Sequence, residues 1–246
     1  MHGLRLLPAT LLMLAACDAP DYSPVRDWAS TASFAVDYPR IAGAPQGDAA
    51  ILAMQQAMSV YLLAIATLAS DGVLPYREDP FTELATTVRP ASERGSAAIT
   101  ALGTLLRRAS RSADQAPDLR DNIVAADPHV QALVGSLALA VSAGAGADAA
   151  AREDAAAGYA RLAAETRDPV ARQLVRTRAA ERDTELAARQ AARLQYGYIL
   201  TRIGEGHALL TARAATITKD EAVQRIRAAQ DELRRNAATI PRGWPG

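Results

Sequence analysis

Between Asp48 and Asp71 the chain carries no charge, and Ile51, Met54, Met58, Tyr61 or Leu62, Ile65 and Leu68 recur there at spacings of three and four. That spacing is one face of an α-helix. A helix this apolar belongs either in the middle of a bundle or in a bilayer, and its length is close to a membrane span. Gln55, Gln56 and Ser59 decide between the two. They would be costly in lipid and are ordinary on the small polar patch of a buried helix. The stretch is therefore predicted as the central helix of a bundle, opened by Asp48 and closed by Gly72 at the C-cap position.

The flanking segments carry the same period. Pro75, Pro80 and Pro90 mark a connector with room for one short helix around Phe81 to Val88. Ser92 starts a helix to about Ser112 on the stripe Ala98, Leu102, Leu105, Leu106 and Ala109. Arg107, Arg108 and Arg111 fall late in it, where the helix dipole favours cations. Pro117 begins a short helix predicted to end near Ala126. Asp127-Pro128 and Asp168-Pro169 then read as two helix starts, an acid at the N-cap before a proline in the first turn.

The first of these helices buries Val130, Leu133, Val134, Leu137 and Val141. Gly144 and Gly146, each costing about 1 kcal/mol against alanine, predict a break or kink before it resumes to Thr166. The second runs without a proline to about Ala215. Its later half shows a stripe of Ala188, Ala192, Tyr196, Ile199, Ile203, Gly206 and Leu210. Its earlier half, Arg172 to Arg193, is charged nearly all round, with Leu174, Val175 and Leu186 as anchors, the pattern of a helix that projects from a body or lies exposed. Thr218 and Glu221 form a capping box for a last helix on Val223, Ile226, Ala229 and Leu233, stopped by Pro241.

No window alternates apolar and polar residues long enough to demand a sheet. The predicted fold is all-α: an antiparallel bundle of four or five long helices with short accessory helices and an irregular N-terminal strap. The strap is expected from residues 18 to 47, where Tyr22, Trp28, Phe34 and Tyr38 supply four of eleven aromatics among Pro20, Pro24, Pro39 and Pro45. Disordered linkers are poor in aromatics. A tether to about Pro24 is expected, then a packed segment with Asp27 capping a short helix from Trp28 to Val36.

Upstream, His2 and Arg5 precede a short apolar run, Leu6 to Leu14, which ends in Ala15-Ala16 before the single cysteine, Cys17. The run is too short for a span of about 20 residues and fits the core of a cleaved export signal. Leu14-Ala15-Ala16-Cys17 resembles the lipobox of bacterial lipoprotein precursors. The resemblance implies a diacylglyceryl group on the Cys17 thiol, cleavage before it, and acylation of the new amino terminus. It divides the chain into a signal peptide (1–16), a lipidated tether with its strap (17–47) and a helical-bundle domain (48–246). It also implies a periplasm-facing protein anchored in the cell envelope by acyl chains. Asp18 resembles an inner-membrane retention signal, but inner and outer membrane both stay open.

Charge and ligand inventory narrow the chemistry. Without residues 1–16 the chain has 26 basic and 27 acidic residues, counted from the totals of 27 and 27 less Arg5. That balance gives no pull toward nucleic acid or an anionic surface. Beyond residue 17 only His129 and His207 remain as histidines, neither in a Glu-x-x-His pair or a His-Glu-x-x-His motif, and no metal site or cofactor is expected. Both read as packing or capping residues. No Gly-x-Ser-x-Gly elbow, phosphate loop or Ser-x-x-Lys motif occurs, so the chain reads as non-enzymatic. The arginines of 167–193 alternate with acids and lack an aromatic stacking platform.

The first candidate for a partner-binding surface is the proline-framed loop Leu74 to Phe81, with Tyr76, Arg77, Glu78, Asp79 and Phe81. The plainer reading is that Tyr76 and Phe81 plug the bundle end. The charged half-helix Arg172 to Arg193 is the second candidate. The expected role is a membrane-anchored module that binds another envelope protein or supports an assembly. The alternatives are a small-molecule or lipid carrier, with a cavity lined by Met54, Met58, Tyr61 and Tyr198, and an envelope hydrolase using Glu78 or Asp79.

Overall fold

A computed structural model describes residues 20–37, 49–70, 74, 79–111 and 115–239. Among the described residues there are seven α-helices and no strand. They are α1 (Ser23–Val36), α2 (Ala49–Leu68), α3 (Pro80–Val88), α4 (Glu93–Ala109), α5 (Gln115–Glu165), α6 (Pro169–Ala212) and α7 (Asp220–Ala238). A short 3₁₀ turn, Ala214–Thr216, joins the last two. The expected all-α bundle is the fold observed.

The uncharged helix α2 lies at the centre, packed on α1, α3, α4 and α5. Two-thirds of its most apolar window is buried, so the residues that could have met lipid meet other helices instead. Its polar patch is used. Gln55 Nε2 donates to Tyr196 Oη at 3.0 Å, and Tyr196 donates onward to the Val36 carbonyl at 2.9 Å. Ser59 Oγ donates to Asp37 at 3.0 Å and lies 2.9 Å from Ser33 Oγ. These bonds satisfy polar groups that burial would otherwise penalise, and they fix α1 against α2 and α6.

Several boundaries differ from expectation. Helix α1 begins at Ser23, well before Trp28, and Asp27 lies within it. The Asp21 carboxylate accepts from Ser23 N at 2.8 Å, and Pro24 sits in the first turn, where a missing N–H costs nothing. The segment is therefore an ordered helix rather than an irregular strap, with Trp28, Ala29, Ala32 and Val36 fully in the core. Tyr38, Pro39, Pro45 and the Asp48 and Gly72 caps lie outside the described residues.

The two helices expected on either side of Asp127, and the break expected at Gly144 and Gly146, are instead one helix of 51 residues, with Pro128 inside it. A proline there removes one hydrogen bond and costs about 3 kcal/mol or more. Leu119, Ile123 and Ala126 before it, and Val130, Leu133 and Leu137 after it, are all fully buried in the same core. Interrupting the helix would pull one set out, so packing overrides the local signal. Gly144 is filled from outside: a Cβ there would stand 2.6 Å from Arg193 Nη1. The capping box at Thr218 does not form. Helix α7 starts at Asp220, after a turn in which Lys219 N donates to Thr216 O, and Glu221 pairs with Arg213 and Arg225. Asp168 is an N-cap as expected, accepting from Val170 N at 2.8 Å, and Ser92 likewise caps α4.

Helices α5 and α6 pair antiparallel along their whole length. Their body halves join the core, whereas none of residues 149–185 is buried. That distal part is a two-helix arm extending about 25 Å, counting 17 residues of α5 at 1.5 Å each. It includes the half-helix whose all-round charge predicted exposure. Leu186 is buried at its base, but Leu174 is 70% exposed. Leu174 is therefore no anchor.

Two glycines make opposite predictions. A Cβ on Gly206 would stand 2.5 Å from the Trp28 ring, whereas one on Gly135 would meet nothing within 4 Å. Overpacking costs about 1–3 kcal/mol, more than the roughly 1 kcal/mol by which alanine outranks glycine in a helix. Gly206→Ala is expected to lower Tm, and Gly135→Ala to raise it by about 2–4 °C, both read by thermal melting.

Candidate functional site

The proline-framed loop is partly accounted for by packing. Asp79 is the N-cap of α3: its carboxylate accepts from Phe81 N at 3.0 Å and from Thr82 Oγ1 at 2.6 Å, and it pairs with Arg107 of α4. Burial alone would raise the Asp79 pKa. The bonds from Thr82 and Phe81, with the Arg107 charge, outweigh that and hold it below the ordinary carboxylate value. An acid held ionised in this way is a poor proton donor at neutral pH. Phe81 is 2% exposed and rests on Gly103, where a Cβ would clash with it at 2.6 Å. It plugs the junction of α3 and α4 and offers no surface to a partner. Tyr76, Arg77 and Glu78 lie outside the described residues, as does Cys17.

The four residues expected to share a carrier cavity do not line one. Met54, Met58 and Tyr61 are at most 1% exposed within the core, while Tyr198 is 41% exposed on the outside of α6, with the Arg202 guanidinium over its ring at 4.7 Å. Two open depressions lie on the arm instead. One runs along the outer face of α6, and the other lies between the arm helices beside Tyr159.

One buried polar constellation went unread in the sequence. Tyr61 Oη lies 2.7 Å from His207 Nε2, and His207 Nδ1 lies 2.9 Å from Asp127 Oδ1. Asp127 also accepts from Gln131 Nε2, which donates as well to the Gly204 carbonyl. The hydrogen bond from His207 is the main cause of a lowered Asp127 pKa, only partly opposed by burial. An ionised Asp127 can only accept, so His207 carries its proton on Nδ1 and takes the Tyr61 proton as an acceptor at Nε2. The chain Tyr–His–Asp has the connectivity of an acid–base relay. Its accessibility is wrong for one. Tyr61 and His207 are both 0% exposed, and burial, reinforced by the Asp127 charge, pushes the phenol well above its ordinary pKa. With Trp28 stacked obliquely on the imidazole, the network ties α1, α2, α5 and α6 at one level. The only sequence signal was one acid, Asp127, at the edge of an uncharged apolar stripe.

A second tie stands at the base of the arm. Asp148 is buried and accepts from Arg189 Nη2 at 2.9 Å and Arg193 Nε at 2.8 Å. Further out, Arg152 Nη2 donates to Asp183 at 3.1 Å across the two helices. Among the described residues no group of three or more His, Cys, Asp or Glu side chains could hold a metal ion.

The arm is the feature with no partner inside the molecule. Its exposed aliphatics, Leu162 at 49%, Val170 at 75% and Leu174 at 70%, gather toward its tip. Helix α6 faces α5 through Val175, Ala179 and Asp183, so Val170 and Leu174 stand on the opposite, outer face. Family models, curated proteins and solved structures were all compared with the chain, and none matches.

Two predictions follow from the ties. Tyr61→Phe leaves a buried imidazole nitrogen without a donor and should cost about 1–3 kcal/mol in denaturant unfolding. Asp127 is held below its ordinary value, so its contribution is complete at neutral pH and is lost only as pH falls below about 4. The stability gap between wild type and Asp127→Asn should therefore shrink on acidification through that range. Asp148→Asn should raise hydrogen exchange across 149–185 and leave α2 protected.

Proposed function

We propose that the protein is a membrane-anchored bacterial envelope lipoprotein, non-enzymatic, whose helical body holds a two-helix arm out for another protein. The observation that carries the reading is the arm: more than thirty consecutive residues leave the core, yet they are held in one direction by Asp148 and its two arginines. A segment that contributes nothing to the core and bears exposed aliphatics is an interaction surface by its physics. The lipobox-like Leu14-Ala15-Ala16-Cys17 supplies the anchor in this reading. One acyl chain would hold a protein to a bilayer only marginally, and two or three hold it stably.

Helix α1 fits that role. Only five residues separate Cys17 from Tyr22, a span of at most about 18 Å. A tether this short transmits the position of the lipid to α1, and through Trp28 and Val36 to the whole core. Neither the body nor the arm calls for a cofactor in this reading, and the membrane is reached through Cys17 alone.

The test is chemical. Mass spectrometry of the envelope-purified protein is expected to find a mature amino terminus at an acylated Cys17, and Cys17→Ser is expected to move the protein out of the membrane fraction with its helical content unchanged. An unmodified thiol on an uncleaved precursor would overturn the anchor.

A further inference from the structure

The anchor and the arm tip lie at opposite ends of α5. The Tyr22 ring, where the chain enters the body, sits under the Arg120 guanidinium at 5.7 Å, and Leu162 is 42 residues further along the helix. At 1.5 Å per residue that separation is about 60 Å. Helix α1 confirms the sense: Trp28 meets Gly206 and His207, while Val36 meets Tyr196, closer to the arm. If lipid holds the Tyr22 end, the tip is the part of the molecule farthest along its axis from the anchor.

The tip is also basic. From residue 167 to residue 178 it carries Arg167, Arg172, Arg176 and Arg178 against the single acid Asp168. Asp168 is occupied as an N-cap, Arg172 bonds the Thr166 carbonyl, and Arg178 pairs with Glu181. Arg167 and Arg176 have no acid partner among the described residues. An open groove runs along the same outer face of α6, lined by Gln173, Arg176, Thr177, Ala180, Thr184 and Ala188, with Val170 and Leu174 at its distal end. Its floor is small side chains, its end is aliphatic, and unpaired cations flank it. These are the features an amphipathic helix needs when it lies in a groove.

Charge selects the occupant. Two copies anchored in one leaflet would stand parallel, placing Arg167 and Arg176 of one against those of the other. An antiparallel pair would align arginines with Glu181 and Glu185 but would put the two anchors at opposite ends. An anionic bilayer is a poorer match: Glu165 and Asp168 stand at the very turn of the hairpin, and no Trp or Phe lies nearby.

We infer that the outer face of α6 near the arm tip docks an acidic amphipathic helix of another protein, Val170 and Leu174 taking its apolar side and Arg167 and Arg176 its carboxylates. The inference rests on the partner-binding reading and does not need the lipid. The test uses the full mature protein in detergent and a fluorescent three-heptad peptide with leucine on one face and glutamate on its flanks. A second peptide carries lysine for every glutamate. Binding is followed by anisotropy.

The glutamate peptide is expected to bind at least tenfold tighter than the lysine peptide, and to weaken in high salt. Val170→Glu combined with Leu174→Glu should abolish binding, and Arg176→Glu should weaken it about tenfold, with Tm unchanged because these side chains are exposed. Binding undiminished in the double variant, equal binding of the lysine peptide, or no binding of the glutamate peptide would overturn the proposal. So would tighter association with phosphatidylglycerol vesicles, or self-association lost in the double variant. Cys17→Ser should bind the peptide as wild type does, so failure of the anchor and failure of the docking face give different results.

Discussion

The antiparallel pairing of α5 with α6 is the contact on which the rest of the structure depends. It runs through both the body and the arm, and polar ties set its register at successive levels: Asp127 with His207, Gln131 with the Gly204 carbonyl, Asp148 with Arg189 and Arg193, Arg152 with Asp183. Apolar stripes on long alanine-rich helices can slide by a turn at little cost, because alanines offer similar contacts in every register. Buried hydrogen bonds with single partners cannot slide. Losing one leaves a desolvated polar group, a cost of about 1–3 kcal/mol.

In the body, the pair is closed over by α2, and the other helices then find their places by covering α2. Helix α1 lies between α2 and α6, fixed by Ser33, Asp37 and the Val36 carbonyl. Helices α3 and α4 form an antiparallel pair over another side of α2, joined by Phe81 on Gly103 and by Ser96 donating to the Ala85 carbonyl. Helix α7 covers α1 and α6, with Gln230 reaching the Asp27 carbonyl and Gln195 reaching Thr239. Beyond Asp148 no other helix covers the pair, and it runs on as the arm. The same two helices thus make a core at one end and a presented surface at the other.

This division explains why one molecule can be both rigid and available. The polar groups of the body are used up inside it: the Tyr61–His207–Asp127 chain has acid–base connectivity but is sealed. The arm keeps its ion pairs on the surface, where each contributes at most about 1 kcal/mol, and leaves Arg167 and Arg176 unspent. Chemistry that could recognise something else is therefore concentrated where the core ends.

The sequence by itself determined the helices and their faces, because helical period, charge-free stretches and proline-framed starts are local properties. The uncharged run before Asp71, the Asp168 cap, the Ser92 cap and the exposed character of Arg172 to Arg193 were all legible that way. Tertiary structure decided what local rules could not. Pro128 and Gly144 looked like interruptions because each weakens an isolated helix. Within the fold, one is carried by a buried stripe on both sides, and the other gives room to Arg193. Asp127 and His207 looked like a cap and a packing residue, and a separation of 80 positions hid their bond. Phe81 looked like a binding aromatic until Gly103 showed the slot it fills. Side chains near in sequence advertise their secondary structure, whereas the partner of a buried polar group is known only once two distant helices have chosen their register.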